Sequence, residues 1–242
     1  MLGKSFQADE DGALLLKILA IETSTQACSA ALLLNGELLQ RYQIAPRGHG
    51  DLILTMVDEL MREADLKPTQ LSAVAFGRGP GAFTGVRIAT SVAQGIAFGA
   101  DLPVVPVSTL AALAQLGYRR KGYQALLCAM DARMGELYWG AYQIEQGMVS
   151  LLSGELVCKP GDVPEPGSGD WHGLGSGWAE YGEQLQHRFA LQLDPDDMSL
   201  LPRAEEVALL AQHAVEHGQT VTAEQALPVY LRDNVAIKSK KQ

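Results

Sequence analysis

The 242-residue chain is poor in cysteine and in basic residues, and it has no long uninterrupted apolar segment. Its three cysteines form no CxxC pair, which argues against a disulfide framework and favours a reducing compartment. Lys and Arg number 19 against 28 Asp and Glu, and the net charge of −9 disfavours a protein that binds nucleic acid by itself. No stretch reaches the roughly 18–20 consecutive apolar residues of a membrane-spanning helix. The chain is therefore predicted to be cytoplasmic and to have no membrane partner.

Apolar residues are plentiful, at 47% of the chain, and the length suits two lobes that each bury a core. Residues 1–17 carry three acids and an apolar run too short for a signal peptide, so we expect a flexible extension without function. We assign 18–112 to an N-terminal lobe and 113–242 to a C-terminal lobe. The end of the chain after Asp233 is polar and basic and is expected to fray.

Hydrophobic periodicity predicts a mixed α/β lobe at the N-terminal end. Two strand-like runs flank Asn35-Gly36, a dipeptide typical of tight hairpins, so this lobe is predicted to open with three antiparallel strands. The remaining predicted strands are 72–76 and 104–107, and the predicted helices are 51–64, 84–99 and 109–116, the last capped by Ser108. The C-terminal lobe is predicted to contain a hairpin at 125–130 and 136–144, a loop with at most one short strand at 159–177, and a helix at 202–216.

The predicted helices at 51–64 and 84–99 carry more apolar surface than one core needs. At ~100° per residue, Leu52 and Met56 lie on a flank of the line in the first helix that faces the core. That line consists of Ile53, Val57, Leu60 and Ala64. The second helix has one charged residue, Arg87, and many small residues. Each helix could be interior to one lobe, but two of them in so small a lobe favour a subunit interface. The predicted interface residues are Leu52, Met56, Leu60, Arg87, Ser91 and Gln94.

Residues 77–85, with the sequence GRGPGAFTG, lie between a predicted strand and a predicted helix, as a phosphate-binding loop does. They lack the Gly-Lys-Ser/Thr of a Walker A motif, and Pro80 removes one backbone N–H. The glycines favour a tight turn into a closely packed helix, while Arg78 and Arg87 leave a role in binding an anion or a partner's carboxylate open.

The tip of the first hairpin carries Glu22, Thr23 and Ser24. Actin-like ATPases place an acid and hydroxyls at this point, around Mg²⁺ and phosphate. These three residues, together with Arg78, are therefore candidates for nucleotide or anion binding. No metal site is predicted, because the HxxxH spacing at 213–217 has no acidic base between its histidines. Nucleophilic hydrolysis is not supported either, since the chain has neither a Ser-His-Asp order nor a GxSxG elbow.

Four segments together resemble the TsaB (YeaZ) family. They are 18–25 (ILAIETST), 28–32 (CSAAL), 77–88 (GRGPGAFTGVRI) and 131–138 (DARMGELY), and the resemblance extends from about Ile18 to Arg232. It implies an actin-like (ASKHA, ribonuclease H-like) α/β fold of two lobes, with mixed sheets flanked by helices. It also implies a subunit without a catalytic residue that pairs with its paralogue TsaD and helps to recruit the ATPase TsaE. TsaD holds the metal and transfers threonylcarbamoyl to adenosine 37 of certain tRNAs, so tRNA is expected only through the complex.

The resemblance further implies that the two apolar helices pair with TsaD, or with a second copy of the chain when TsaD is absent. TsaD-like proteins carry HxxxH on the first helix of the N-terminal lobe, whereas this chain has only His49 there. No tightly bound cofactor is expected, and ATP or ADP at a subunit interface stays open. The alternative hypothesis is a self-standing actin-like phosphotransferase that uses Glu22 and Asp131. A peptidase is a third hypothesis, for which no nucleophile and base can be nominated.

Overall fold

The structure is a computed structural model and describes residues 15–189, 191 and 193–232. Most of the predicted N-terminal extension and the basic end of the chain lie outside these residues. Leu16 is buried in a core, and Lys17 begins the first strand. The fold therefore begins at least two residues before the predicted boundary at residue 18.

Five strands form the first sheet. They are β1 (Lys17–Glu22), β2 (Ala27–Leu34), β3 (Glu37–Ile44), β4 (Ala73–Gly77) and β5 (Val104–Val107). The order across the sheet is β3-β2-β1-β4-β5, with β1 to β3 antiparallel and with β4 and β5 parallel to β1. Asn35 and Gly36 join β2 to β3 with φ angles of 50° and 91°, the left-handed conformation that this dipeptide favours. The predicted hairpin and its three antiparallel strands are confirmed.

Five further strands form the second sheet. They are β6 (Ala125–Arg133), β7 (Glu136–Glu145), β8 (Met148–Leu151), β9 (Leu156–Cys158) and β10 (His172–Leu174). The order is β10-β6-β7-β8, and β9 also pairs with β7. Strands β6 and β7 are the predicted hairpin. The short β10 is the one strand found in the described part of the predicted loop, and it runs parallel to β6.

Helices pack on both sheets. They are α1 (His49–Glu63), α2 (Phe83–Ala100), α3 (Thr109–Lys121), α4 (Ser176–Gln186), α5 (Pro195–Met198) and α6 (Ala204–Glu216). Among the described residues, no helix has both the length and the apolar character that crossing a membrane requires. The Ser108 hydroxyl accepts hydrogen bonds from the N–H groups of Leu110 and Ala111, which confirms the predicted cap of α3. The helix continues beyond residue 116 to Lys121 and is capped by Gly122, whose φ of 75° suits a C-terminal cap.

The first sheet is covered on both faces. Leu19 and Ile21 of β1 pack in the core that the sheet shares with α1 and α2, whereas Ile18 and Ala20 pack in the core that it shares with α6. Because both faces are buried, β1 is a continuous apolar run rather than an alternating one.

Helix α6 packs on the first sheet although it comes from the C-terminal part of the chain. Apart from Glu206, its buried residues are small or β-branched, namely Ala204, Val207, Ala208, Ala211 and Val215. This apolar stripe covers the face of the sheet opposite α1 and α2. The predicted assignment of 113–242 to one C-terminal lobe is therefore wrong for α6. Helix α3 contacts α6 and also packs on β6, so it links the two cores.

Candidate functional site

The glycine-rich loop, residues 77–85, packs directly on the tip of the first hairpin, which is the turn between β1 and β2. A Cβ atom on Gly77 would overlap the Glu22 carboxylate, and a Cβ atom on Gly85 would overlap the carbonyl oxygen of Thr23. Only glycine permits so close an approach, because every other residue carries a Cβ. The geometry favours the interpretation of the loop as a tight turn into a closely packed helix.

Hydrogen bonds hold this loop and the hairpin tip together. The Thr23 hydroxyl donates to the carbonyl oxygen of Gly85 at 2.7 Å, and the Ala82 N–H donates to the carbonyl oxygen of Ser24 at 2.7 Å. The Ser24 hydroxyl is buried without a hydrogen-bond partner among the described residues, and it lies against Gly81. The hydroxyls that were predicted to surround a phosphate therefore face the loop itself.

Glu22 is fully buried beneath the loop. Its Oε1 accepts a hydrogen bond from the Ser24 N–H at 2.6 Å, and its Oε2 accepts one from the Thr109 hydroxyl at 3.4 Å. Burial raises the pKa of Glu22 above its ordinary value, against the smaller opposing effect of these hydrogen bonds. An enclosed carboxyl whose two oxygens already accept hydrogen bonds from the chain is a poor ligand for Mg²⁺, which needs oxygen atoms that it can reach. The residues at the hairpin tip therefore do not fit a magnesium–phosphate group.

Arg78 faces a carboxylate of the chain itself. Its guanidinium lies 4.0 Å from the carboxylate of Glu155, which belongs to the loop between β8 and β9. The same carboxylate accepts hydrogen bonds from the Ser108 hydroxyl and, at 2.5 Å, from the Tyr142 hydroxyl. An internal acid thus lies at ion-pair distance from Arg78, whose buried Nε has no hydrogen-bond partner among the described residues.

Asp131, the second acid of the phosphotransferase hypothesis, is also engaged. Its Oδ2 lies 3.0 Å from the guanidinium of Arg133, and its Oδ1 accepts hydrogen bonds from the Arg133 N–H at 2.8 Å and the Tyr181 hydroxyl at 3.2 Å. These contacts stabilise the turn between β6 and β7. Both acids of that hypothesis thus have hydrogen-bond partners within the chain.

Histidines contribute to backbone contacts in this fold. Within the described ranges, no three side chains of His, Cys, Asp or Glu converge in the way that a metal ion requires. The His49 Nε2 lies 3.2 Å from the carbonyl oxygen of Ala27. The rings of His213 and His217 lie 4.2 Å apart at the end of α6, and the His217 Nδ1 lies 2.7 Å from the His213 carbonyl oxygen.

Two predicted interface residues of α1 lie in the core instead. Met56 is 5% exposed and Leu60 is fully buried, so neither can contact a partner while the chain keeps this fold. The predicted core line was too narrow, because α1 buries a stripe at i, i+3, i+4, i+7 and i+8. That stripe consists of Ile53, Met56, Val57, Leu60 and Met61. Leu52 is half-buried against the same core, whereas Leu54 is 55% exposed.

Helix α2 buries one side of small residues and exposes the other. Arg87 and Ser91 are both exposed on the outer side. Gln94 is half-buried, and its amide donates to the carbonyl oxygen of Ala226 at 2.9 Å. Of the three predicted interface residues in α2, two are thus accessible and the third supports the C-terminal segment.

Exposed aromatic side chains near α2 were absent from the predicted interface. Phe83 is 57% exposed and Phe98 is 75% exposed at the two ends of the helix. Phe98 follows Arg87, Ser91 and Gly95 at helical spacing, so a projection of the outer side would have found it. Tyr230 is also exposed, but no local signal could have found it, because it contacts Arg87 across 143 residues of sequence.

Residues 226–232 form a C-terminal segment that runs from α2 to the second lobe. The Val229 N–H donates to the carbonyl oxygen of Arg78 at 2.8 Å, beside the glycine-rich loop. Further along, Arg232 pairs with Glu136 of β7. The segment therefore contacts the outer side of α2, the glycine-rich loop and the β6–β7 hairpin.

Comparison with known proteins identifies the family to which this arrangement belongs. The family described as TsaD: tRNA N6-adenosine threonylcarbamoyltransferase matches residues 41–240. The tRNA threonylcarbamoyladenosine biosynthesis protein TsaB of Escherichia coli (strain K12) is 43% identical over 227 residues, which span 92% of this chain and 97% of that protein. The chain belongs to the TsaB (YeaZ) family. The TsaB of Haemophilus influenzae is 38% identical over 232 residues, which span 92% of this chain and 96% of that protein.

Solved structures agree with this assignment. YeaZ from Pseudomonas aeruginosa has a TM-score of 0.83 and 48% identity, covering 89% of this chain and 100% of that chain. A structure described as an uncharacterized protein with similarity to peptidase YEAZ from Pseudomonas aeruginosa has a TM-score of 0.84 and 48% identity. It covers 90% of this chain and 100% of that chain. The predicted family resemblance and the predicted actin-like α/β fold, with mixed sheets flanked by helices, are confirmed.

Proposed function

We propose that this TsaB-family chain is a scaffold subunit for threonylcarbamoylation of adenosine 37 in tRNA. In this proposal it pairs with the paralogue TsaD, helps to recruit the ATPase TsaE and contributes no catalytic residue. It acts in the cytoplasm and meets tRNA only through the complex. The relatives' names as tRNA threonylcarbamoyladenosine biosynthesis proteins support the pathway, and the net charge of −9 suits a subunit that leaves RNA binding to others.

The main support for this proposal is the tip of the first hairpin, where the glycine-rich loop covers Glu22, Thr23 and Ser24. Glu22 is sealed beneath Gly77, and the hydroxyl of Thr23 is bound to the backbone of Gly85. An actin-like fold that fills its phosphate side with its own loop is suited to binding a partner rather than to phosphate transfer. In this proposal, any ATP or ADP of the assembly binds at a subunit interface and not at Glu22.

The outer side of α2, with Leu54 of α1, is the proposed pairing surface. Phe83 and Phe98 are large apolar side chains left exposed on it, and the small residues between them allow another helix to approach closely. The same surface would pair two copies of the chain when TsaD is absent. Met56 and Leu60 are excluded from it because they are buried.

Co-purification with TsaD from the same organism tests the proposal. We expect Phe98→Glu and Leu54→Glu to keep the thermal unfolding midpoint, to lose TsaD and to abolish the modification of adenosine 37 in cells. Leu151→Glu is the matched control, because Leu151 is an exposed leucine at the end of β8 in the other sheet. Retention of TsaD by both Phe98→Glu and Leu54→Glu would overturn the choice of surface, and failure of the wild-type chain to bind TsaD would overturn the function.

A further inference from the structure

Arg87 is held in a defined position on the outer side of α2. Its guanidinium carbon lies 3.6 Å from the ring centroid of Phe83 and 5.7 Å from that of Tyr230. Its Nε donates a hydrogen bond to the Tyr230 hydroxyl at 2.8 Å. Contacts of this kind restrict a side chain that otherwise has high rotamer entropy, so less freedom remains to be lost on binding.

The guanidinium of Arg87 has no carboxylate within 4.0 Å among the described residues. Several other arginines of the chain pair with acids, namely Arg41, Arg62, Arg119, Arg133 and Arg232. The hydrogen bond to Tyr230 uses Nε alone and leaves the two Nη groups of Arg87 without a partner in the described part of the chain. A guanidinium in this state can bind a carboxylate through two parallel N–H donors.

The surroundings of Arg87 indicate what kind of molecule carries that carboxylate. None of the other 17 residues of α2 is charged, and Phe83 and Phe98 are exposed on either side of Arg87. An arginine among exposed aromatic side chains is typical of the residues that dominate protein–protein binding. A nucleic acid needs several clustered cations, and α2 offers a single one.

We propose that Arg87 anchors a protein partner by binding the carboxylate of an Asp or Glu side chain that lies among apolar residues of the partner's docking face. This inference rests on the proposed function, because it assigns the chemistry of the partner on the same outer side of α2. Tyr230 is a positioning residue: its hydroxyl occupies Nε, so that the Nη groups serve the partner. The C-terminal segment thereby becomes part of the docking surface.

The affinity for purified TsaD, measured by calorimetry at several salt concentrations, tests the anchor. We expect R87A to weaken binding by about tenfold or more, and R87K to restore only part of the loss because lysine lacks the planar fork. We expect Y230F, which keeps the ring and removes the hydroxyl, to weaken binding several-fold with an unchanged thermal midpoint. The matched control is R120A, which removes an exposed arginine from α3, away from α2.

Salt dependence and acid-to-amide variants of TsaD identify the carboxylate. Binding of the wild-type chain is expected to weaken as salt rises, and binding of R87A is expected to weaken less. Replacement of one TsaD acid by its amide should abolish the difference in TsaD affinity between the wild-type chain and R87A. Binding of R87A to TsaD as tight as that of the wild type, with F98E still impaired, would overturn the anchor and spare the proposed function. A loss confined to self-association or to tRNA binding would also overturn it, whereas failure of the wild type to bind TsaD would overturn both.

Discussion

The carboxylate of Glu22 lies against the Cα of Gly77, where a side chain of any size would collide with it. Glu22 ends β1 and Gly77 ends β4, so the two residues meet at the carboxyl ends of neighbouring parallel strands. In an open α/β sheet this edge is where ligands usually bind. Here the chain fills it with its own glycine-rich loop.

Replacement of Gly77 by alanine tests how tightly this edge is packed. We expect Gly77→Ala to lower the free energy of unfolding by about 1–3 kcal/mol, because the added methyl group must displace Glu22. Urea unfolding followed by circular dichroism gives the value. Gly95→Ala is the control: a Cβ there meets no atom within 4 Å, and alanine in a helix interior should raise stability by up to about 1 kcal/mol. Equal stability of Gly77→Ala and the wild type would contradict the packing described.

The acid of Glu22 is expected to serve structure and not chemistry. Glu22→Gln should keep the fold and the modification of adenosine 37, because the amide oxygen can still accept the hydrogen bond from Ser24. Glu22→Ala should cost about 2–4 kcal/mol, since it leaves a cavity and an unpaired N–H. Thermal unfolding and complementation of a strain that lacks the chromosomal copy measure both effects. A stable Glu22→Gln variant without function, or ATP hydrolysis by the purified chain that Glu22→Gln abolishes, would instead support the phosphotransferase hypothesis.

The orientation of α1 gives a third prediction. Met56→Glu is expected to lower the free energy of unfolding by about 3–5 kcal/mol, because it places an unpaired charge in the core. Leu54→Glu, two residues earlier and exposed, is expected to change it by less than about 0.5 kcal/mol. Urea unfolding of both variants measures the contrast. If Met56→Glu proved as stable as Leu54→Glu, α1 would be rotated relative to the arrangement described here.

Local sequence signals predicted most of the first sheet. They could not predict which side of α1 is buried or on which sheet α6 packs. The signal for the hairpin lies in two adjacent residues, Asn35 and Gly36, and the signal for the helix cap lies in Ser108 alone. Both features were therefore predictable from the sequence. The burial of Met56 depends on how wide a stripe the sheet covers, and that width is a tertiary property. Helix α6 packs on strands that lie far earlier in the sequence, and Tyr230 likewise contacts Arg87 from far along the chain. Neither contact can be seen in the local sequence pattern.

Glu206 on the buried side of α6 should make stability depend on pH. Burial first, and then the nearby Glu205, raises the pKa of Glu206 from 4.5 to about 7, although Arg119 at 2.7 Å opposes the shift. The folded state therefore keeps a proton that the unfolded state releases. The resulting stabilisation is complete below about pH 4.5 and is lost as the pH rises through about 7.

Glu206→Gln removes this titration. Between pH 5 and 8 we expect the unfolding free energy of the wild type to fall relative to Glu206→Gln by about 2–3 kcal/mol. Urea unfolding at each pH measures the difference, and Glu183→Gln, which removes one exposed acid from α4, is the control. Parallel pH profiles for the wild type and Glu206→Gln would show that Glu206 titrates alike in both states.

The carboxylate of Glu155 should hold the two lobes together. It comes from the second lobe and accepts hydrogen bonds from Ser108, at the start of α3, and from Tyr142 on β7, with Arg78 at 4.0 Å. Glu155→Ala leaves these donors without their shared acceptor, and we expect a loss of about 2–3 kcal/mol. Ser108 still caps α3, so the helix itself should remain.

Hydrogen exchange locates the effect of Glu155→Ala. Because the lost contacts join the lobes, faster exchange is expected in β9 and in the first turn of α3, with the centres of both sheets protected as before. Glu145→Ala is the control, since it removes an exposed acid from the end of β7. Faster exchange throughout the second sheet would mean instead that Glu155 stabilises its own lobe and not the junction. An unchanged profile would mean that α3, packed against both α6 and β6, is a sufficient link between the two cores.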